Sequence, residues 1–239
     1  MENDVKNGAL VVLNKVQKRY PMRLGQSLLA LDDINLTFGR GEFAGVVGPS
    51  GSGKTTLLNI IGSLDNPTAG EALVLQRNVG KLSAAESAEL RNRHIGFIFQ
   101  TYNLLPVYSA FENVEFPLLL LGVKKAERRR LVMAALEAVG LADRADSRPA
   151  QLSGGQCQRV AIARAVVKKP ELILADEPTA NLDAENSHLI LQLMQKLNLE
   201  LGVTFIFSTH DDKVIRYLRR KITLNDGRVV KDEQTRAEK

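Results

Sequence analysis

The sequence predicts an α/β domain whose core is a largely parallel β-sheet. Two runs dominated by apolar residues, at 172–175 and 203–207, have the pattern of strands that are buried on both faces. Between them lies an amphipathic helix whose predicted buried face carries Ile190, Leu193, Met194, Leu197 and Leu201. A third run, residues 43–47, also leads into an apolar helix. Strands that alternate with helices are typical of a parallel sheet, so we expect one domain over residues 1–239.

Shorter strand patterns surround this core. Residues 10–16 and 34–38 alternate apolar and polar side chains, which predicts half-buried antiparallel strands near the N-terminus. Residues 95–99 form a further predicted strand that ends at Gln100. Asp226 and Gly227 stand between two short apolar segments, and this dipeptide favours a tight hairpin that closes the domain.

The middle of the chain, residues 101–168, changes to a helical pattern. Helices are predicted at residues 110–121 and 126–139, and a third begins near Gln156. We therefore expect a helical lobe inserted into a core that is formed by residues 1–100 and 169–239.

The composition is that of a globular protein. Of 239 residues, 44% are hydrophobic and 25% are charged, which suffices for one large core. The net charge is +5, but the basic residues are interleaved with 27 acids, so the charge alone decides little about partners. The densest basic cluster is interpreted as a solvated helix face, with contact to lipid or a partner as the alternative. It comprises Lys124, Lys125, Arg128, Arg129 and Arg130.

Nothing in the sequence predicts secretion or a membrane span. Residues 1–4 carry acids and no apolar signal segment, so we expect the protein to stay in the cytoplasm. The apolar stretch at residues 116–123 is broken by Pro117 and is shorter than the ~20 residues that a span needs. Cys157 is the one cysteine, so the chain has no internal disulfide, and we interpret Cys157 as a tolerated small residue.

A glycine-rich turn with a lysine joins the first buried strand to its helix. Its glycines let backbone N–H groups approach phosphates, Lys54 can reach the β- and γ-phosphates, and the Thr55 hydroxyl can hold Mg²⁺. The turn therefore predicts binding and hydrolysis of ATP. The predicted nucleotide-binding residues here are Gly48, Pro49, Ser50, Gly51, Ser52, Gly53, Lys54, Thr55 and Thr56.

Two adjacent acids follow the apolar run at residues 172–175. Asp176 is expected to hold Mg²⁺ through water, while Glu177 orients the attacking water. We expect Pro178 to restrict Glu177 to an extended conformation that aims its carboxylate at the γ-phosphate.

Three histidines are present, and one of them is predicted to be functional. His210 follows the strand at 203–207, at the edge of the sheet where open α/β folds bind ligands. We expect it to sense the γ-phosphate. His94 and His188 are interpreted as structural.

A second turn, with Ser153, Gly154 and Gly155, opens the helix that runs through Gln156. Its N–H groups and the positive end of the helix dipole favour an anion, although an ordinary helix cap explains the same residues. If it binds phosphate, one chain holds two nucleotides, or the turn of one copy caps the nucleotide of another. The second arrangement is favoured because only the first loop has a lysine.

In this order, the motifs resemble the nucleotide-binding subunit of ATP-binding cassette (ABC) transporters, over nearly the whole chain. Residues 48–55 resemble the Walker A loop, 152–156 the signature motif and 172–176 Walker B, with Glu177 as the catalytic base. Residues 181–183 resemble the D-loop. Gln100 resembles the Q-loop glutamine, His210 the switch histidine and Tyr20 the aromatic residue that stacks on adenine.

This resemblance implies a P-loop NTPase fold of the ABC type. The expected parts are a RecA-like parallel core, an N-terminal antiparallel β-subdomain and the inserted helical lobe. Glu177, His210 and Gln100 would be catalytic, and Thr55, Gln100 and Asp176 would hold Mg²⁺. The resemblance also implies nucleotide contacts from Ser153, Gly154, Gly155, Gln156 and Asp183.

The resemblance further implies how such a subunit assembles. Two copies would close head to tail on two ATP molecules, and hydrolysis would reopen them. Integral membrane permease subunits would dock near Gln100 and the helical lobe, and no nucleic acid would be bound. Residues 104–108 are apolar and would form part of that dock or pack inside the lobe. The protein would then lie on the cytoplasmic side of the inner membrane, bound peripherally.

Finer similarity, in residues 64–68, 99–106, 112–114 and 180–183, is to the bacterial macrolide-exporter and lipoprotein-release group. The alternative is a regulatory ABC ATPase of the cell-division type, which signals through a membrane partner to an extracytoplasmic hydrolase without moving a substrate. Chromosome-structure ATPases are disfavoured because they interrupt the domain with a coiled coil, and translation factors because they carry two such domains.

Overall fold

The computed structural model describes residues 8–22 and 26–235, in which the strands form two separate sheets. The predicted absence of a signal segment in residues 1–4 lies outside the described residues. Within those residues, no helix is both long and apolar enough to cross a bilayer.

The larger sheet has six strands in the order β10-β9-β3-β8-β7-β6. All its pairings are parallel except that of β9 with β10. The predicted parallel core is thus confirmed, and so is the hairpin, because Asp226 and Gly227 adopt φ angles of 44° and 74° between β9 and β10. The strands are β3 (Phe43–Val47), β6 (Ile95–Phe99), β7 (Leu172–Asp176), β8 (Thr204–Thr209), β9 (Arg220–Asn225) and β10 (Arg228–Gln234).

The smaller sheet is antiparallel, with the order β2-β1-β4-β5. It contains β1 (Ala9–Pro21), β2 (Ser27–Gly39), β4 (Ala69–Val74) and β5 (Arg77–Asn78). The first two strands are longer than predicted, since irregularities at Lys15 and Asp33, both with positive φ, interrupt the alternation without ending the pairing. Strands β4 and β5 were not predicted.

Seven α-helices lie within the described residues. They are α1 (Lys54–Ile61), α2 (Ala84–His94), α3 (Ala110–Leu120), α4 (Lys125–Ala138), α5 (Gly154–Val166), α6 (Ala184–Leu201) and α7 (Asp212–Ile215). Helices α3, α4 and α5 fall where a helical segment is predicted, and α3 pairs with both of the others. Helix α2 was not predicted.

Two apolar cores hold these layers together. One fills the space between the six-stranded sheet and helices α3 to α6, where Phe43 lies against Phe205 and Phe207 with ring centroids 5.5 and 4.7 Å apart. The other lies between the two sheets and encloses α1. Because β3, β6, β7 and β8 run parallel, their carboxyl ends lie along one edge of the six-stranded sheet.

Two expectations about helix faces are wrong. Arg128 does not belong to a solvated face, because it forms an ion pair with Glu115 at 2.7 Å and its side chain is only 17% exposed. Its guanidinium also donates to the Val123 carbonyl, so it ties α4 to the end of α3. Leu201 is half exposed because α6 ends there, at the left-handed Gly202.

Candidate active site

The predicted polar residues meet at the carboxyl edge of the six-stranded sheet. Val47 pairs with Thr209, Asp176 with Ser208, and Phe99 with Asp176, so the residues that follow these strands are neighbours. A cavity of about 420 Å³ opens at this edge. It is lined by predicted site residues Tyr20, Ser50, Gly51, Gly53, Lys54, Thr55, Thr56, Gln100, Glu177 and His210, together with Leu28, Ala30 and Ser208.

The glycine-rich turn has a geometry that only glycine permits at two positions. Gly48 has φ 157°, and a Cβ there would lie 2.1 Å from the Leu224 carbonyl oxygen. Gly53 has φ 101° and would bring a Cβ within 2.5 Å of the Ala30 carbonyl. Helix α1 begins directly afterwards at Lys54, so its N–H groups face the turn. This cradle fits a phosphate chain.

Lys54 lies across the turn rather than pointing away from it. Its ammonium donates to the carbonyl oxygens of Gly48 and Pro49 at 2.9 and 2.8 Å. Lys54 as a whole is largely buried. An ammonium has three donors, so one remains for a phosphate oxygen in the cavity.

Thr55 and Asp176 come together as predicted for a Mg²⁺ site. The Thr55 hydroxyl lies 3.2 and 3.1 Å from the two carboxylate oxygens of Asp176. A hydroxyl and a carboxylate are hard oxygen ligands of the kind that Mg²⁺ takes beside nucleotide phosphates. Among the described residues, no group of three or more His, Cys, Asp or Glu side chains is arranged to hold a metal ion.

Glu177 is held at both carboxylate oxygens. His210 Nδ1 lies 2.6 Å from Oε1, and the Thr209 hydroxyl donates to Oε2 at 3.1 Å. The expectation of an extended Glu177 is wrong, because its φ is 46°. The proline that follows disfavours the right-handed helical region, and the turn closed by Ala180 N and Glu177 O selects the left-handed one instead.

Tyr20 lies at the rim of this cavity, on β1. Burial and the hydrogen bond from its hydroxyl to Asp65 raise the pKa of Tyr20. The Lys18 ammonium lies 4.9 Å from the centre of its ring. Stacking of this ring on adenine stays a prediction.

The second turn does not belong to the same cavity. The Ser153 hydroxyl accepts a hydrogen bond from Gln156 N, and Ser153 N donates to Gln156 Oε1, which makes a capping box at the start of α5. The cap interpretation thus holds within one chain. None of the residues from Ser153 to Gln156 lines the cavity of the phosphate loop.

Asp183 and its neighbours link the motifs. Asp183 caps α6 by accepting from Asn186 N, and a Cβ on Gly155 would lie 2.6 Å from Asn186 Oδ1. Asn181 donates to the Gln100 carbonyl at 2.9 Å. Residues 181–183 thus contact Gln100 directly, and they approach the start of α5 through Asn186, which is hydrogen-bonded to Asp183.

Several supporting residues escaped the sequence analysis. Arg164 on α5 donates to the carbonyls of Tyr102 and Asn103, which both have positive φ, and burial lowers the pKa of Arg164. Gln158, fully buried, donates to the Pro178 carbonyl at 2.5 Å. Residues of this kind carry no sequence signal, because their partners are backbone carbonyls of distant segments.

The remaining candidates do not line this cavity. His94 pairs with Glu171 at 3.0 Å, and His188 contacts the Tyr217 hydroxyl, and their structural role stays a prediction. Burial raises the pKa of the Cys157 thiol, which donates weakly to the Pro149 carbonyl.

Comparison with known proteins gives a consistent result. Residues 31–180 match the sequence model of the family described as "ABC transporter". The chain is 49% identical over 226 residues to the ABC transporter ATP-binding protein YvrO of Bacillus subtilis, covering 94% of this chain and 97% of YvrO. It is 47% identical over 223 residues to the macrolide export ATP-binding/permease protein MacB of Burkholderia thailandensis, covering 93% of this chain. It spans about one third of MacB, 34% of its length.

Solved structures show the same architecture. The ATP-binding cassette MJ0796, in a dimeric post-hydrolysis state bound to ADP and phosphate, superimposes with a TM-score of 0.87 at 44% identity. The match covers 95% of this chain and 99% of that one. A second dimeric structure of the same bacterial ABC transporter cassette matches equally well.

Proposed function

Because this chain belongs to the ABC transporter family as an ATPase domain, we propose that it is the motor subunit of a bacterial transporter of the macrolide-export or lipoprotein-release type. It binds ATP, closes as a homodimer, and works on the cytoplasmic side of the inner membrane as a peripheral subunit. Residues 1–100 and 169–239 act as the nucleotide-binding core, and 101–168 as the lobe that carries the signature motif.

The geometry of the cavity supports a division of labour in hydrolysis. The glycine-rich turn and Lys54 hold the phosphates, while Glu177 accepts a proton from the attacking water. Thr55 and Asp176, with help from Gln100, would hold Mg²⁺, which would neutralise charge on the phosphates. His210 is placed to turn from Glu177 toward the γ-phosphate.

The separation of the two phosphate-binding turns carries the proposal of a shared site. The residues from Ser153 to Gln156 are absent from the cavity that Lys54 lines, yet they form a capped helix start with exposed Ser153 and Gly154. Two chains arranged head to tail bring the turn of one to the cavity of the other. The dimeric state of MJ0796 supports this arrangement.

A groove beside the Q-loop is the proposed dock for a membrane subunit. It has a volume of about 420 Å³ and lies between α2, β6, α3 and α5. The rings of Phe97 and Phe99 stack within it at 5.8 Å, and Phe116 and Leu120 on α3 are 38% and 61% exposed. Leu105, Val107 and Tyr108 are also exposed, whereas Leu104 packs against the lobe core.

Three cations also line the groove, and they favour a partner that carries acidic side chains. Arg91, Arg164 and Lys168 each donate to a backbone carbonyl, at 2.6, 2.5 and 2.7 Å. In the described part of the chain none of the three forms an ion pair. An apolar helix with an acidic residue would therefore complement the groove in shape and charge.

Co-purification tests the transport assignment. We expect the tagged chain, extracted gently from native membranes with ATP, to retain a partner with few membrane spans and a large extracytoplasmic domain. Leu120→Glu should abolish this retention because it places a charge in the groove. Leu199→Glu is the matched control, since Leu199 is 72% exposed on α6, away from the groove. Recovery of a many-span permease with a solute-binding protein would contradict the export assignment.

A further inference from the structure

Thr209 is a buried hydroxyl residue at the end of β8, directly before His210. Its side chain has no solvent exposure. The hydroxyl donates to Glu177 Oε2 at 3.1 Å and accepts from Asp211 N at 3.0 Å. Because a hydroxyl has a single proton, acceptance from Asp211 N leaves that proton for the carboxylate.

The two side chains that hold the Glu177 carboxylate differ in freedom. The His210 side chain is 64% exposed and borders the cavity, so it can turn toward a bound phosphate. Thr209 is β-branched, buried and fixed by the strand, so its rotamer is restricted. When His210 leaves, Thr209 is the side chain that still holds the carboxylate.

The backbone around Glu177 is fixed independently of this carboxylate contact. Glu177 N donates to the Ser208 carbonyl at 2.9 Å, and Gln158 holds the Pro178 carbonyl. The backbone of Glu177, with φ at 46°, lies in a turn, and this backbone conformation alone does not fix the direction of the long side chain. The position of the two carboxylate oxygens therefore depends on Thr209 and His210.

We propose that Thr209 is a positioning residue that keeps the Glu177 carboxylate aimed at the attacking water once His210 has turned to the γ-phosphate. Thr209 engages Oε2, which leaves the lone pairs of Oε1 to accept the proton of the water. This inference rests on the proposed role of Glu177 as the general base.

Steady-state hydrolysis by the purified chain tests this role. Thr209→Val keeps the shape but removes the hydroxyl, and we expect kcat to fall about 10- to 100-fold, the range for losing a hydrogen bond to a charged group. The KM for ATP should stay within about twofold of the wild type, because Thr209 does not reach the nucleotide. Thr209→Ser, which restores the hydroxyl, should recover most of kcat.

Thr204→Val is the matched control. Thr204 lies at the other end of β8, is equally buried, and its hydroxyl also accepts from one backbone N–H and donates to one oxygen, at 2.9 and 3.4 Å. Its loss should leave kcat unchanged. An equal fall of kcat in both variants would assign the effect to the strand and overturn the proposal.

A double-mutant cycle with Glu177→Ala separates the carboxylate contact from the Asp211 contact. If Thr209 acts through Glu177, Thr209→Val should cause no further loss of activity in the Glu177→Ala background. A further loss would overturn the proposal. Activity retained by Glu177→Ala alone would instead refute the general-base assignment, which is part of the proposed function.

A crystal structure of Thr209→Val provides a readout that is independent of activity. The Glu177 carboxylate should leave its position or occupy several rotamers, while β8 stays in place. An unmoved carboxylate would contradict the proposal. Should the valine variant not fold, Thr209→Ala replaces it in all three measurements.

Discussion

Lys168 lies in the groove between α2, β6, α3 and α5, and among the side chains of this groove its pKa is shifted most by folding. Burial lowers its pKa to about 8 from an ordinary value of 10.5. Below pH 8 the lysine is charged in both the folded and the unfolded chain, and above 10.5 it is neutral in both. Between these limits the unfolded chain binds more protons, so this residue contributes a free energy of unfolding that rises with pH.

Replacement of Lys168 by methionine should remove this dependence. Relative to Lys168→Met, the wild type should gain about 1–2 kcal/mol of stability as pH rises from 8 to 10.5, less than the full shift because the side chain is partly exposed. Urea unfolding of both proteins at several pH values measures the difference. A difference that is constant with pH would show that Lys168 titrates normally.

The residues of the site differ in how visible they are in a sequence. Lys54, Thr55, Asp176 and His210 follow strands or open a helix in recognisable motifs, and the structure brings all four to one sheet edge. Thr209 acts through a contact with a residue 32 positions away, so no local pattern reveals it. The conformation of Glu177 was mispredicted because a proline excludes one backbone region without choosing between the others.

At the scale of elements, Arg220 on β9 connects the two sheets. Its guanidinium pairs with Glu42 and Asp232 at 2.9 and 2.7 Å and donates to the Thr37 carbonyl of β2. These hydrogen bonds raise the pKa of Arg220 far above its ordinary value, against the effect of burial. The side chain is only 13% exposed and lies over the Phe38 ring.

Arg220→Met should therefore destabilise the fold. Removal of the cation leaves Asp232 and Glu42 without the ion pairs that Arg220 makes, although Glu42 still accepts from Gly39 N. We expect a loss of about 2–4 kcal/mol in the free energy of unfolding. Arg130→Met is the control, because the ion pair of Arg130 with Glu127 lies on an exposed helix face. Chemical denaturation compares the two variants, and equal stability would disprove the link between the sheets.

Helices and strands whose apolar residues recur at a regular spacing were predicted well, and those without such a pattern were missed. Helix α2 buries only Ser87 and Leu90, so its helical period is nearly invisible although Ser83 and Glu86 form a capping box. Strands β4 and β5 are short. They form because β4 pairs with β1 and β5 pairs with β4, and their own residues do not mark them as strands. Tertiary pairing thus formed elements that local patterns do not encode.

For the whole molecule, the central claim is that ATP hydrolysis requires two chains. A single chain places Lys54 and Glu177 around one cavity, with Asp176 beside the cavity residue Thr55, and leaves the turn at Ser153 outside it. In the proposed dimer, closure of two copies supplies that turn in trans, and hydrolysis with Glu177 as the general base lets the copies separate. The sequence already favours a shared site because only one of the two turns carries a lysine, and the structure adds that the second turn does not line the cavity of the first.

Light scattering on Glu177→Gln with ATP and Mg²⁺ tests this claim most directly. The amide keeps the shape of the side chain but cannot accept the proton, so ATP should bind without being hydrolysed and trap a closed dimer of twice 26.3 kDa. Adding Lys54→Ala should return the protein to a monomer because the phosphates lose their cation. A Glu177→Gln variant that binds ATP in calorimetry yet stays monomeric would contradict the shared site.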